Sequence, residues 1–281
     1  EPLVTFGLAE IDFELGNLNQ AIKEYASLDN RLIYEQTGVS TYQRIGVSYA
    51  SLGKFEVAIE FLEKALEIEY DDAVAFELAT ILYDQKEYQK ANLYFKQIDT
   101  ISPEFESYEY GYALSLHAEH QTEEALRLTQ QGLSKNPFDT RLLLLASQLS
   151  YELHDEQKAE DYLLKAKDNA EDLEEIALRL SNLYLEQERF DEVLKFEEQD
   201  IDNVLTKWNI ARAYQALEQT TAALERYRLL LSDLKENPEF LEQYIYLLRE
   251  MGDFEEAKHQ AEYYLHLVPD DMEMQELYDS L

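Results

Sequence analysis

A small residue recurs along this chain at nearly constant spacing, and this period constrains the fold more than any other feature. The intervals between successive members are 37, 33, 34, 34, 34, 30 and 34 residues. A period in this range is typical of a structural unit stacked on copies of itself, because each unit buries its apolar face only against its neighbours. The sequence therefore predicts a solenoid. The members of this column are Ala21, Ala58, Ala91, Ala125, Ala159, Val193, Ala223 and Ala257.

Each period divides into two amphipathic helices. In the third period, Ala75, Leu78, Ala79 and Leu82 follow the i, i+3, i+4, i+7 spacing of one helix face. A polar turn at 84–87 separates this helix from a second one, which Pro103 ends. A second column of small residues lies on the first helices, where it lets the backbones of the two helices approach closely. This column is Ala9, Gly46, Ala79, Ala113, Ser147, Ser181 and Ala211.

The chain resembles the tetratricopeptide repeat (TPR) family, whose pattern combines small, aromatic and proline positions over 34 residues. The second period matches this pattern through Tyr42, Ile45, Gly46, Tyr49, Ala58, Leu62 and Ala65. The resemblance implies an all-α fold, an α-solenoid in which antiparallel helix pairs stack into a right-handed superhelix. We expect a single array over 2–281. Its repeats would lie at about 2–35, 39–71, 72–105, 106–139, 140–172, 174–203, 204–237 and 238–270, with a C-terminal capping helix at 271–281.

Three departures from the period carry structural expectations. The interval from Val193 to Ala223 is four residues short, about one helical turn, so we expect a shortened and less well packed helix near 191–200. The first interval, at 37 residues, is three residues longer than the 34-residue period, which predicts an extended connection from Asp29 to Gly38. Ile245 replaces the small residue in the last repeat, where we expect irregular helix packing.

The charge balance limits the classes of partner. The chain has 59 acidic and 24 basic residues, a formal net charge of −35. Such a field repels phosphate backbones and anionic membrane surfaces, so we expect neither nucleic acid nor a membrane as partner. There is no cysteine, which excludes disulfides and thiolate chemistry. We expect an acidic protein of the cytoplasm.

Chemistry-bearing residues form no convincing catalytic or metal site. His120 and His154 lie 34 residues apart in turns, with His117 one turn earlier, and a surface metal site there is the less favoured interpretation. Carboxylates are abundant, but none is accompanied by a histidine or a glycine-rich loop in a catalytic pattern. We therefore expect no enzyme activity, no metal and no cofactor.

The remaining candidate site is a stripe of residues beside the core face of the first helices. In TPR proteins this stripe lines the concave groove, so the resemblance implies an acidic, aromatic-lined groove that binds a peptide or protein segment. The charge favours a basic or neutral partner. The alternative is a scaffold that self-associates through its repeat ends. The candidate groove residues are Phe76, Tyr83, Tyr110, His117, Tyr151, Trp208, Arg212, Tyr246 and Arg249.

Overall fold

The structure, a computed structural model that describes residues 1–281, consists of helices joined by short connections and contains no β-strand. Eighteen α-helices follow one another, and one 3₁₀ turn, Lys195–Glu198, continues α13. The helices are α1 (Pro2–Glu14), α2 (Leu18–Ala26), α3 (Asn30–Thr37), α4 (Thr41–Ser51), α5 (Phe55–Ile68), α6 (Asp72–Asp84), α7 (Tyr88–Ile101), α8 (Tyr108–Ala118), α9 (Thr122–Lys135), α10 (Thr140–Glu152), α11 (Glu156–Lys167), α12 (Glu174–Glu186), α13 (Phe190–Leu194), α14 (Val204–Ala216), α15 (Thr220–Leu234), α16 (Pro238–Glu250), α17 (Phe254–Leu267) and α18 (Met272–Ser280).

The chain divides into two compact units, Glu1–Asp155 with α1 to α10 and Glu156–Leu281 with α11 to α18. Within each unit a first helix packs against the second helix that follows it, as in α4 with α5 and α14 with α15. Successive pairs then pack on one another, as α7 on α8 and α15 on α16 do. This confirms the all-α class and the stacking of helix pairs. No helix is both long and apolar enough to span a membrane.

Both columns of small residues lie at the contact between the two helices of a pair. Every member of the column from Ala21 to Ala257 is buried. The glycine of the second column shows how little room the contact leaves, since a Cβ on Gly46 would lie 2.7 Å from Cγ of Leu62. Side chains larger than these would push the helices apart.

The turn inside each pair repeats one backbone geometry. In the third pair, Lys86 has φ 63°, its N–H bonds to the carbonyl of Tyr83, and the N–H of Glu87 bonds to the carbonyl of Leu82. These two bonds form the Schellman motif, which requires a residue of left-handed conformation after the helix. The residues at this position are Gly16, Gly53, Lys86, His120, His154, Glu188, Glu218 and Gly252. Only three of the eight are glycines.

The expected extended connection at 29–38 is wrong, because the segment forms helix α3. Asp29 caps this helix by accepting a hydrogen bond from the backbone N–H of Leu32 at 3.0 Å. Gly38 ends it in left-handed conformation at φ 72°. The three extra residues therefore belong to an additional short helix between the first two pairs.

The expected shortening near 191–200 is confirmed. Helix α13 has five residues, Phe190–Leu194, and the four-residue 3₁₀ turn replaces its remainder. Val193 and Phe196 are nevertheless buried, so the core contact of the pair persists. The expected irregularity at Ile245 is wrong, because α16 and α17 have ordinary lengths and Ile245 is buried in the core between them.

Tyrosine hydroxyls join helices by donating hydrogen bonds to carboxylates. With 21 tyrosines and only 24 basic residues, the chain uses a neutral donor where an acid would otherwise need a cation. The Tyr108 hydroxyl, for example, donates to Asp99 at 2.5 Å. Burial raises the pKa of Tyr108, and this hydrogen bond raises it further. The other pairs are Tyr25 with Glu10, Tyr94 with Glu63, Tyr214 with Glu197, Tyr246 with Glu273, Tyr263 with Glu236 and Tyr264 with Asp271.

Candidate functional site

The candidate groove residues occupy three positions on the first helices, spaced i, i+4 and i+7. This spacing places them on one helix face, beside the small residue that packs against the second helix. We call these positions the inner stripe. In the first unit it consists of Phe76, Thr80 and Tyr83, then Tyr110, Leu114 and His117, then Leu144, Gln148 and Tyr151. In the second unit it consists of Leu178, Asn182 and Leu185, then Trp208, Arg212 and Gln215, then Glu242, Tyr246 and Arg249.

The aromatic rings that begin the inner stripe of the first unit lie partly in the core. Phe76 is half-buried, with its ring centroid 6.1 Å from that of Phe95 and 5.8 Å from that of Phe105. Tyr83 is also half-buried, 5.5 Å from the ring of Tyr88. Burial raises the pKa of Tyr83, and the neighbouring Tyr88 and Tyr110 raise it further. One face of each ring therefore contributes to packing.

The next two helices present polar contacts on the stripe. The guanidinium of Arg141 lies 5.2 Å from the ring centre of Tyr110, close enough for a cation–π interaction. Nε2 of His117 lies 2.7 Å from a carboxylate oxygen of Glu152. Tyr151 is the most accessible ring of the stripe, with 43% of its surface exposed. These side chains give α8 and α10 an open face with aromatic area and negative charge.

In the second unit, Trp208 is a packing residue as much as a surface residue. Its indole is only 6% exposed and meets the ring of Phe240 edge-on at 5.8 Å. The indole N–H donates to the side-chain oxygen of Gln243 at 3.2 Å. Arg212 lies over the indole, 5.5 Å from the ring centre, and covers the remaining face.

A cleft of about 320 Å³ lies beside Arg212. Its walls combine a guanidinium, an amide and a carboxylate with apolar side chains, and are formed by Asn182, Leu185, Glu186, Phe190, Arg212 and Ala216. The buried Asn209 donates to the oxygen of Asn182 at 2.6 Å and to the hydroxyl of Ser181 at 2.9 Å. The first of these bonds holds the Asn182 amide at the cleft.

The final helix of the stripe, α16, carries its acidic end. The Tyr246 hydroxyl donates to Glu273 at 3.2 Å, and Arg249 is exposed one turn further along the helix. Burial raises the pKa of Glu242, and the charges of Asp271, Glu273 and Glu239 raise it further. A cationic group arriving here would relieve the repulsion among these carboxylates.

A polar column beside the stripe was missed by sequence reasoning. It lies two residues before the small-residue position in five of the eight first helices and holds Arg44, Glu77, Arg179, Asn209 and Gln243. Arg44 makes two hydrogen bonds to Glu10, at 2.9 and 3.0 Å. The recurrence of polar residues at one position of an otherwise apolar helix face was the signal that could have revealed this column.

The two turn histidines have a structural explanation. His120 and His154 occupy the left-handed position of the Schellman turns, at φ 60° and 62°. The same position holds glycine, lysine or glutamate in the other pairs, so the 34-residue spacing of the histidines follows from the repeat.

Comparison with known proteins identifies the repeat. A family model described as "YpiA-like, C-terminal tetratricopeptide repeats" matches residues 205–271, and one described as "Tetratricopeptide repeat" matches 39–72. The TPR repeat-containing protein YpiA of Bacillus subtilis (strain 168) is 24% identical over 261 residues, 92% of this chain. The chain spans 62% of the length of that relative.

Solved structures show the same fold at low identity. YrrB, described as a TPR protein with an unusual peptide-binding site, aligns over 65% of this chain and 92% of its own, with a TM-score of 0.55 and 18% identity. MamA 41-end from Desulfovibrio magneticus RS-1 aligns over 59% and 93%, with a TM-score of 0.53 and 14% identity. Together with the repeated helix pairs and their buried small residues, the family-model matches show that the chain contains tetratricopeptide repeats at 39–72 and 205–271.

Proposed function

We propose that this protein is a non-enzymatic interaction module of the cytoplasm that binds a peptide or protein segment along its inner stripe. The observation that supports the proposal is the open face of α8 and α10, where His117 contacts the carboxylate of Glu152 and where Tyr110 and Tyr151 occupy other positions of the same stripe. Tyrosine supplies large contact area with few torsions to freeze, and it is enriched among the residues that dominate binding energy. YrrB, a protein of the same fold with a peptide-binding site, adds support by analogy.

The charge of the chain selects the chemistry of the bound segment. A net charge of −35 attracts cationic segments over long range and repels anionic ones. Aromatic side chains on the stripe provide contacts for apolar residues and for the flat guanidinium of arginine. The proposed segment is therefore basic or neutral and carries at least one apolar anchor, and we expect neither nucleic acid nor anionic membranes as partners.

The experiment compares binding of short peptides to the protein and to stripe variants by calorimetry. The peptides share one apolar anchor and differ in having lysines or glutamates around it. We expect the lysine peptide to bind and the combined Tyr110→Ala and Tyr151→Ala variant to lose at least about tenfold in affinity, since truncated hot spots cost more than about 1 kcal/mol each. Phe138→Ala is the matched control, because this exposed phenylalanine lies outside the stripe. Equal affinity of all three proteins would contradict the proposal.

A second candidate function, a self-associating scaffold, is favoured by the surface of α1. Leu3, Val4, Leu8, Ile11 and Leu15 are each 51–71% exposed. Four of them, from Val4 to Leu15, are spaced i, i+4, i+7, i+11, which is the pattern of a helix face that packs against another helix. Sedimentation across a dilution series tests this function. A mass that falls on dilution, and falls to the monomer in Leu8→Glu, would support the scaffold, whereas a constant monomer would refute it.

A further inference from the structure

The shortened pair in the second unit replaces core residues with carboxylates. In the third pair, Phe95 and Ile98 of the second helix are buried. When the two pairs are aligned on Ala91 and Val193, the positions of Phe95 and Ile98 correspond to Glu197 and Asp200 in the shortened pair. Both of these carboxylates are exposed. The helix has lost about one turn, and Phe196 and Ile201, each one position away from these carboxylates, are buried instead.

An apolar cleft of about 200 Å³ lies where that turn is absent. Phe196, Ile201, Ile210 and Leu230 are buried in its walls, and Leu229 stands at its rim with 78% of its surface exposed. This volume is below the range of about 300 to 1,000 Å³ that is typical of small-molecule sites. It matches one large apolar side chain better than a metabolite.

The charged side chains that line the cleft already have partners. Arg226 bonds to Glu197 at 2.6 Å, and the hydroxyl of Tyr214 donates to the same carboxylate at 2.5 Å. Lys207 pairs with Asp202 at 2.5 Å. Because these charges satisfy one another, the free binding capacity of the cleft is apolar.

Exposed acidic residues are adjacent in sequence to residues that line the cleft. Glu198 and Asp200 are exposed, and they alternate with the lining residues Glu197, Gln199 and Ile201. Glu225 and Asp233 are exposed on α15, one turn before and one turn after Leu229, so the three side chains share a helix face. An apolar opening with four exposed carboxylates on the segments that line it suits an apolar residue that has lysine or arginine one turn away on either side.

We propose that this cleft is a second binding site, which takes one helical turn of a partner protein with a large apolar anchor and flanking lysine or arginine residues. The partner's apolar anchor would fill the cleft beside the shortened α13. The site lies on residues 196–230 and uses none of the inner-stripe residues of the first unit. The two proposed sites can therefore be tested independently.

The test uses designed helical peptides as probes and methyl NMR of the whole chain as readout. The first peptide has one leucine flanked by lysines at i−4 and i+4. The second has alanine in place of leucine, and the third has glutamates in place of lysines. We expect the first peptide to shift the methyl signals of Ile201, Ile210 and Leu230, with shifts that decrease as salt is added. The alanine and glutamate peptides should bind at least about tenfold more weakly.

Two substitutions separate the cleft from general attraction to an acidic protein. Leu229→Glu changes the rim of the cleft, and Leu93→Glu changes an exposed leucine on α7 that is 65% accessible and far from it in sequence. Both add the same charge at a solvated position, so both proteins should fold. We expect Leu229→Glu alone to weaken the leucine peptide at least about tenfold.

Three results would overturn the proposal. The first is equal binding of the leucine and alanine peptides, which would indicate only electrostatic attraction. The second is an equal effect of the two substitutions. The third is a set of shifts confined to the inner stripe, which would support the groove and remove the cleft.

Discussion

The left-handed turn position offers the sharpest test of the repeat geometry. Five of its eight occupants are not glycine, and each carries a Cβ at positive φ, where the side chain crowds the backbone. Lys86 has φ 63° in the first unit and Glu188 has φ 56° in the second. We expect Lys86→Gly and Glu188→Gly each to stabilise the protein, because the Schellman hydrogen bonds of the turn remain while the strain is removed.

The magnitude follows from two opposing contributions. A non-glycine residue in left-handed conformation costs about 1–2 kcal/mol. Glycine itself lowers the stability of the folded state by about 0.5–1 kcal/mol, because its larger entropy in the unfolded chain is lost on folding, and this offsets part of the gain. The net expected gain is therefore about 0.5–1 kcal/mol for each substitution. With a urea dependence of about 2 kcal/mol per molar, the unfolding midpoint should rise by about 0.25–0.5 M.

Two matched substitutions in the opposite direction serve as controls. Gly53 and Gly252 occupy the same turn position at φ 72° and 78°, and a Cβ on either would meet open space. Gly53→Ala and Gly252→Ala should therefore lower the midpoint through backbone strain alone. The reasoning is refuted if the two glycine substitutions lower the midpoint, as they would in a helix interior.

Three further predictions concern packing and pH. Gly46→Ala should destabilise by about 1 kcal/mol in urea unfolding because of its tight contact in the second pair, whereas Gly7→Ala, which meets open space on α1, should stabilise. Arg189 donates to the buried Glu160 at 2.6 and 2.9 Å and lowers the pKa of that carboxyl. The pair therefore stabilises the folded state above about pH 4.3, and this stabilisation is lost as the pH falls. Arg189→Ala should cost about 2–3 kcal/mol at about pH 7 and less at about pH 3.5, and an equal cost at both would contradict this assignment. Burial and the charge of Glu160 raise the pKa of Tyr184 to about 12. The neutral Tyr184 hydroxyl therefore contributes its full stabilisation below about pH 10, and this stabilisation is lost as the pH rises to about 12. Tyr184→Phe should therefore unfold less steeply with alkali than the parent protein, by circular dichroism.

The sequence period predicted the helix pairs because a buried small residue has a simple physical signature. A contact as close as that at Gly46 tolerates few residue types, and its spacing survives in the sequence. The helix at 30–37 was missed because the long first interval was read as a connection. Asp29 and Gly38 are ordinary helix-ending residues and could have predicted it.

The candidate site was less predictable, because side chains at the same position of the inner stripe differ in burial from one helix to another. Phe76 and Trp208 occupy the same position of their helices, yet Phe76 is half-buried and Trp208 is almost wholly buried. The difference arises from α16, the first helix of the next pair, where Phe240 packs against the indole and Gln243 accepts a hydrogen bond from the indole N–H. Such contacts join residues more than 30 positions apart, and helical periodicity within one segment does not contain them.

The tyrosine–carboxylate pairs separate two properties that usually change together. A neutral hydroxyl that donates to a carboxylate has no charge for salt to screen, so contacts such as Tyr108 with Asp99 persist at high ionic strength. The attraction of a cationic partner to this acidic surface weakens under the same conditions. Concentrated salt should therefore elute bound proteins from the folded repeats and leave the repeats reusable as an affinity matrix.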